Sequence, residues 1–149
     1  MKVLSFLVLF ILVSSVSIPA LAQEIEEETD FMHFDRMVMR FDETDAYVTV
    51  TYDLDMFARM YVLAFGTRHL ESSFENIFSE YEETEIEEIG YDTAVITLKD
   101  VSRSSDSYYL HDGHNLGTNI HSLQVIYPGG TSKTLTDVTK TPNIFYDRN

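Results

Sequence analysis

Alternating apolar and polar side chains mark the first two strands of this chain. The run 47–52 places Val48, Val50 and Tyr52 on one face and threonines on the other, which is typical of a half-buried strand. The preceding run, 31–41, is partly apolar on both faces, and a short acidic turn joins the two runs. The pattern predicts a β-hairpin.

Two helical patterns follow the hairpin. The first helix is predicted near 54–65, with Asp53 as its N-terminal cap and Gly66 after its C-terminus. Its apolar stripe, which we expect to face the core, consists of Phe57, Met60, Tyr61 and Ala64. The second helix is predicted near 73–81, behind an S-x-x-E capping box that begins at Ser72. One long kinked helix over both segments is the alternative.

Strand patterns fill the rest of the chain, interrupted by a polar, Gly-containing loop at 111–119 and a tight turn at 128–130. The predicted strands are 84–89 (an acidic edge strand), 93–98, 108–110, 122–127 and 133–138, and the segment 143–146 is a last short strand or a docking tail. Helices and strands are segregated, which predicts a single α+β domain over 31–149 with a mostly antiparallel sheet. The two short helices, near 54–65 and 73–81, are expected to be packed on one face of this sheet.

The first 22 residues have the parts of a secretory signal peptide. Lys2 gives a positive start, an apolar stretch follows, and an A-L-A cleavage site ends at Ala22. An uncleaved membrane anchor is the alternative, because 3–22 is long enough to cross a bilayer. We expect cleavage, since serines and a proline weaken the span, and residues 23–30 then form an acidic, flexible leader. The protein is expected to be secreted or cell-surface associated, without stable membrane insertion.

Composition narrows the function classes. The 149 residues include 25 acidic and 10 basic side chains, a net charge of −15, and no cysteine. The charge argues against nucleic-acid binding, and the missing cysteine excludes disulfides, thiolate-bound metals and a thiol nucleophile. We expect basic partners, such as a surface or envelope protein, or cations. Calcium or magnesium capture by the glutamate runs is one interpretation of the acids, and a solvated face that maintains solubility is the other.

Signatures of catalysis are missing from the sequence. It has no G-x-S-x-G or S-x-x-K nucleophile motif and no glycine-rich nucleotide-binding loop. No cofactor is indicated. The sequence therefore favours an exported, non-enzymatic acidic module with a binding or structural role at the cell surface or envelope.

A histidine-containing segment provides the alternative function. His111, His114 and His121 could bind zinc through their ring nitrogens, with a carboxylate or water completing a tetrahedron. The protein would then be a metal-binding protein, and a metal-dependent hydrolase is one form it could take. The competing interpretation is a polar connecting loop, because H-x-x-H on a loop does not fix two ligands on one face as a helix does.

Three tyrosines form a candidate binding surface: Tyr108, Tyr109 and Tyr127. Tyrosine is favoured at interfaces because its ring is apolar and its hydroxyl is hydrated. Packing in the core, with the hydroxyl at its rim, is the alternative.

Four phrases of the sequence resemble small exported proteins of methanogenic archaea. They are VTYDLDMFA at 50–58, AFG at 64–66, LQVIYPGG at 123–130 and TPNIFY at 141–146. The resemblance extends over most of the chain that follows the signal peptide. It implies export and a place in an archaeal envelope, and it implies no site residues.

Overall fold

The computed structural model describes residues 31–148, so the predicted signal peptide and acidic leader lie outside the described residues. Two sheets and two α-helices make up this part of the chain. The strands are β1 Met32–Asp42, β2 Asp45–Leu54, β3 Glu83–Ile89, β4 Thr93–Lys99, β5 Ser102–Ser104, β6 Tyr108–His111, β7 Asn115–Ile126, β8 Ser132–Lys140 and β9 Ile144–Asp147. The helices are α1 Met56–Phe65 and α2 Glu71–Ile77, with a 3₁₀ turn, Thr67–Leu70, between them.

The main sheet is mixed, with the strand order β3-β4-β2-β1-β7-β8. Its neighbours are antiparallel except β1 and β7, which run parallel. A second, three-stranded antiparallel sheet has the order β5-β6-β9. The α+β class predicted from the sequence therefore fits broadly. A parallel pair needs a crossover connection, and here the chain passes through five strands, β2 to β6, and the helices before β7 returns beside β1.

The predicted hairpin is confirmed. β1 and β2 pair from Met32 opposite Leu54 to Asp42 opposite Asp45, and the register shifts once between Phe34 and Arg36. Local alternation specifies this element, since a one-residue slip would turn every core side chain towards solvent.

Side chains on the inward face of the hairpin form the centre of the core. At one end, the ring of Phe74 on α2 lies 6.2 Å from that of Phe34 and 5.4 Å from that of Tyr52. At the other end, Phe41 meets Tyr146 of the small sheet at 5.8 Å. The core thus joins α2, the hairpin and the small sheet in one hydrophobic cluster.

α1 begins at Met56, two residues later than predicted. Its cap is Asp55 rather than Asp53, because the Asp55 carboxylate accepts a hydrogen bond from the Ala58 backbone N–H at 2.7 Å. Gly66 ends the helix as expected, with a φ of 85° that favours glycine. The break at Gly66 separates two helices, so the alternative of one long kinked helix is wrong.

α2 is shorter than the predicted helix at 73–81. It continues directly from the 3₁₀ turn, so no side chain caps its N-terminus and the expected capping box at Ser72 does not form. The helix ends at Ile77. Tyr81 consequently lies beyond the helix, where its ring reaches two histidines.

The predicted loop at 111–119 is also wrong at its C-terminal half, because β7 already begins at Asn115. Gly117 allows this strand to approach the end of α2: a Cβ there would lie 2.6 Å from the Asn76 carbonyl oxygen. Pairing with β8, which starts with Asn115 opposite Lys140, overrides the weak strand preference of the local residues.

Candidate functional site

His111 and His114 come together at the end of β6, with ring centroids 5.5 Å apart. His111 is fully buried, and its Nδ1 lies 2.8 Å from the Val101 carbonyl oxygen, to which it donates. The Tyr81 ring lies parallel to the His111 ring, and its hydroxyl is 3.2 Å from the hydroxyl oxygen of Thr141. The His111 Nε2 faces the same Thr141 oxygen at 3.5 Å.

Burial disfavours the charged forms of His111 and Tyr81. It lowers the pKa of His111, and this effect exceeds the opposing one of the hydrogen bond to Val101. Burial likewise raises the pKa of Tyr81 to about 12. His114 adds a buried Nδ1 without a hydrogen-bond partner among residues 31–148. The contacts connect β6 with the segments around residues 81 and 141, which is a structural role.

His121 is not part of the cluster. It lies exposed on β7, and its Nδ1 is 2.9 Å from a carboxylate oxygen of Asp137. Within the described range, no group of three or more histidine, aspartate or glutamate side chains is placed to hold a metal ion. The structure therefore brings together two of the three candidate ligands, and metal binding by His111, His114 and His121 stays an untested alternative.

The three candidate tyrosines occupy different environments. Tyr109 is buried and its ring stacks on Tyr146, with centroids 5.3 Å apart. Tyr108 is partly exposed and lies 4.9 Å from the Phe145 ring. Tyr127 lines a cleft on the main sheet. A binding surface shared by Tyr108, Tyr109 and Tyr127 stays a prediction.

The apolar stripe of α1 faces solvent, so the prediction that it faces the core is wrong. Val62 is the buried residue of this helix. The exposed fractions of its large apolar side chains are 72% for Met56, 81% for Phe57, 63% for Met60, 45% for Tyr61, 69% for Leu63 and 68% for Phe65. Periodicity could not choose the buried side, because every position of α1 except Arg59 is apolar or tyrosine.

The exposed side chains are neighbours on α1. At about 100° per residue, a continuous arc of roughly 160° contains Leu63, Met56, Met60, Ala64, Phe57 and Tyr61. We call this arc the α1 face. It holds no charged side chain, and Arg59 borders it.

The α1 face is large for a monomeric protein. A whole side chain of this size has about 150–250 Å² of surface. The exposed fractions of the five large side chains in the α1 face therefore leave on the order of 700 Å² of apolar surface open. The largest apolar patch on a typical monomer is about 300–600 Å² and is often functional.

Polar contacts at its N-terminal side attach α1 to the domain. The Arg59 Nε donates to the Leu54 carbonyl oxygen at 2.8 Å, and its guanidinium pairs with Asp53. The backbone N–H of Asp55 donates to the Phe31 carbonyl oxygen at 2.9 Å. The helix is therefore held at a defined place while its apolar face stays uncovered by the described residues.

No helix in the described range is long and apolar enough to span a membrane. Comparison of the chain with protein-family models, with curated proteins and with solved structures found no match. The resemblance to exported archaeal proteins therefore stays a prediction.

Proposed function

We propose that the protein is an exported, non-enzymatic module of the cell surface or envelope that works by self-association, and that the α1 face is its docking surface. Export rests on the signal-peptide pattern of the first 22 residues. One observation supports the docking role: α1 exposes six large apolar side chains and buries Val62 alone. Leaving this much apolar surface in water is unfavourable, and association removes it.

The area of the α1 face suits a second copy of this chain. Two faces of on the order of 700 Å² each would bury about 1,400 Å², within the range of about 1,200–2,000 Å² for stable interfaces. Met60 lies near the middle of the helix, between Met56 and Leu63. In a two-fold dimer with antiparallel helices, Met60 would meet its own copy and Phe57 would meet the partner's Leu63.

Charge explains why association would use this surface. The chain carries a net charge of −15, so two copies repel each other over most of their surface. The α1 face holds no carboxylate, and the charged side chain within the helix, Arg59, is positive. Association through this face should therefore strengthen as salt screens the repulsion, whereas an interface of ion pairs would weaken.

Sedimentation velocity on the chain without residues 1–22 tests the proposal at about 1–100 µM protein, in low and in high salt. We expect a dimer that becomes tighter with salt. Met60→Glu should make it a monomer, because two buried glutamates would face each other, while glutamate still favours a helix. Phe145→Glu is the matched control, since Phe145 is 59% exposed but lies on β9.

Two results would overturn self-association. One is a wild-type protein that remains monomeric over this range, and the other is a dimer that survives Met60→Glu. A monomer that binds phosphatidylcholine vesicles, and loses this binding in Met60→Glu, would assign the α1 face to a lipid surface. A monomer that binds neither itself nor vesicles would leave a basic surface or envelope protein as the expected partner.

A further inference from the structure

A second concave surface lies on the outward side of the main sheet. Arg40 on β1 has Tyr47 as its antiparallel neighbour and Ile126 as its parallel neighbour, so the three lie in one row. Tyr127 and the turn at 128–130 form the adjoining wall. Together they line a cleft of about 560 Å³, within the size range of small-molecule sites.

The guanidinium of Arg40 is available for a ligand. Arg59 and Arg103 each pair with an aspartate. The Arg40 side chain is exposed and makes no hydrogen bond or ion pair with residues 31–148, although the sequence holds 25 acidic residues. Asp42, two residues further along β1, also lines the cleft and is not within ion-pair distance of Arg40.

We propose that this cleft binds an acidic saccharide, a sugar unit that bears one carboxylate. The planar guanidinium of Arg40 matches a carboxylate with two parallel hydrogen bonds. Tyr47 and Tyr127 supply aromatic surface for the C–H face of a sugar ring, and their hydroxyls can bond to ring substituents. Asp42 supplies an acceptor for a sugar hydroxyl.

The net charge limits the ligand to one or few negative groups. A long polyanion would leave the cleft and meet the acidic remainder of the surface, which would repel it. The inference is independent of the α1 face, because it uses another element and another kind of ligand.

Titration of ¹⁵N-labelled protein with free monosaccharides, followed by NMR, tests the assignment. We expect galacturonate to shift the amides of β1 and of the turn at 128–130, with half-saturation on the order of 1 mM. Galactose, which lacks the carboxylate, should bind at least about tenfold more weakly, because the charge-assisted pair is lost. Tyr127→Ala should weaken galacturonate binding but leave the weak response to acetate unchanged.

Arg40→Gln is the decisive variant, and Arg36→Gln is its matched control. Arg36 is also exposed on β1, and its neighbour Thr51 lies on the same face of β2 as Tyr47, but it does not line the cleft. We expect Arg40→Gln to weaken galacturonate binding at least about tenfold, and Arg36→Gln to leave it unchanged. Equal binding of galactose, an equal loss in both variants, an acetate response as strong as that of galacturonate, or no shift at about 10 mM would each overturn the proposal.

Discussion

Tyr81 and His111 lie with their rings nearly parallel, 7° between the planes and 6.2 Å between the centroids. This contact helps to bury the His111 imidazole, and burial lowers the pKa of that imidazole. In the unfolded chain the imidazole has its ordinary pKa of about 6.5. The unfolded state therefore binds a proton at a higher pH than the folded state.

The first prediction concerns acid stability. The contribution of His111 should be fully present above a pH of about 6.5 and be lost as pH falls towards its lower folded pKa, with a slope of at most about 1.4 kcal/mol per pH unit. Urea unfolding at pH 7.5 and 5.5 measures it. His111→Gln should reduce the difference in the free energy of unfolding between pH 7.5 and pH 5.5. His33→Gln, at an exposed site, should leave this difference unchanged. Equal pH dependence in all three proteins would contradict the prediction.

The second prediction concerns the alkaline side. Burial, aided by the charge of Asp92, raises the pKa of Tyr52 to about 12 from an ordinary value near 10. The stabilisation that comes from keeping the Tyr52 hydroxyl protonated is complete below pH 10. It is lost as pH rises from about 10 to 12, because the unfolded chain then loses this proton first. Tyr52→Phe should flatten the pH dependence of the free energy of unfolding in this window.

The same variant has an effect at neutral pH. The Tyr52 hydroxyl donates to the Gly90 carbonyl oxygen at 2.5 Å, and Tyr52→Phe removes this bond at a cost of about 1 kcal/mol. Tyr47→Phe, at a 47% exposed position, is the control. A variant as stable as wild type at pH 7, with an unchanged alkaline transition, would show that this hydroxyl is not important for stability.

Local patterns predicted the hairpin and the acidic edge strand because alternation and turn residues act between neighbours in sequence. The parallel pairing of β1 with β7 has no such signature. The pairing depends on which strand, distant in sequence, forms hydrogen bonds with the free side of β1. Tertiary contacts such as that of Met37 with Leu123 stabilise β7 in this position.

The α1 face shows a different limit. Its periodicity correctly indicated a helix, but a helix that is apolar nearly all round can present several sides to the core. The informative feature was the number of apolar residues in α1. A surface helix needs only one apolar stripe to pack on the core, so the additional apolar side chains indicate a second, exposed apolar face. Arg40 and Tyr47 were missed as site residues because their neighbourhood arises from strand register and from the turn after β7.

The third prediction concerns the approach of β7 to α2. In Gly117→Ala the added Cβ would lie 2.6 Å from the Asn76 carbonyl oxygen and 3.3 Å from the Ile77 Cα. Backbone atoms must shift to admit it, so we expect a loss of about 1–3 kcal/mol in the free energy of unfolding. Asn119→Ala, at an exposed position of the same strand, should cost less than about 0.5 kcal/mol. Thermal unfolding of both variants checks this, and equal melting temperatures would refute it.

The fourth prediction concerns zinc. The His111 Nδ1 is committed to the Val101 carbonyl oxygen and its Nε2 faces Thr141, while His121 bonds to Asp137. Zinc would have to replace these contacts and open a buried site, so we expect native mass spectrometry of untagged protein to show no stoichiometric zinc adduct. A one-to-one adduct that disappears in the His111→Ala/His114→Ala double variant, but persists in His121→Ala, would instead establish a metal site at the two clustered histidines. It would also make a test for hydrolase activity worthwhile.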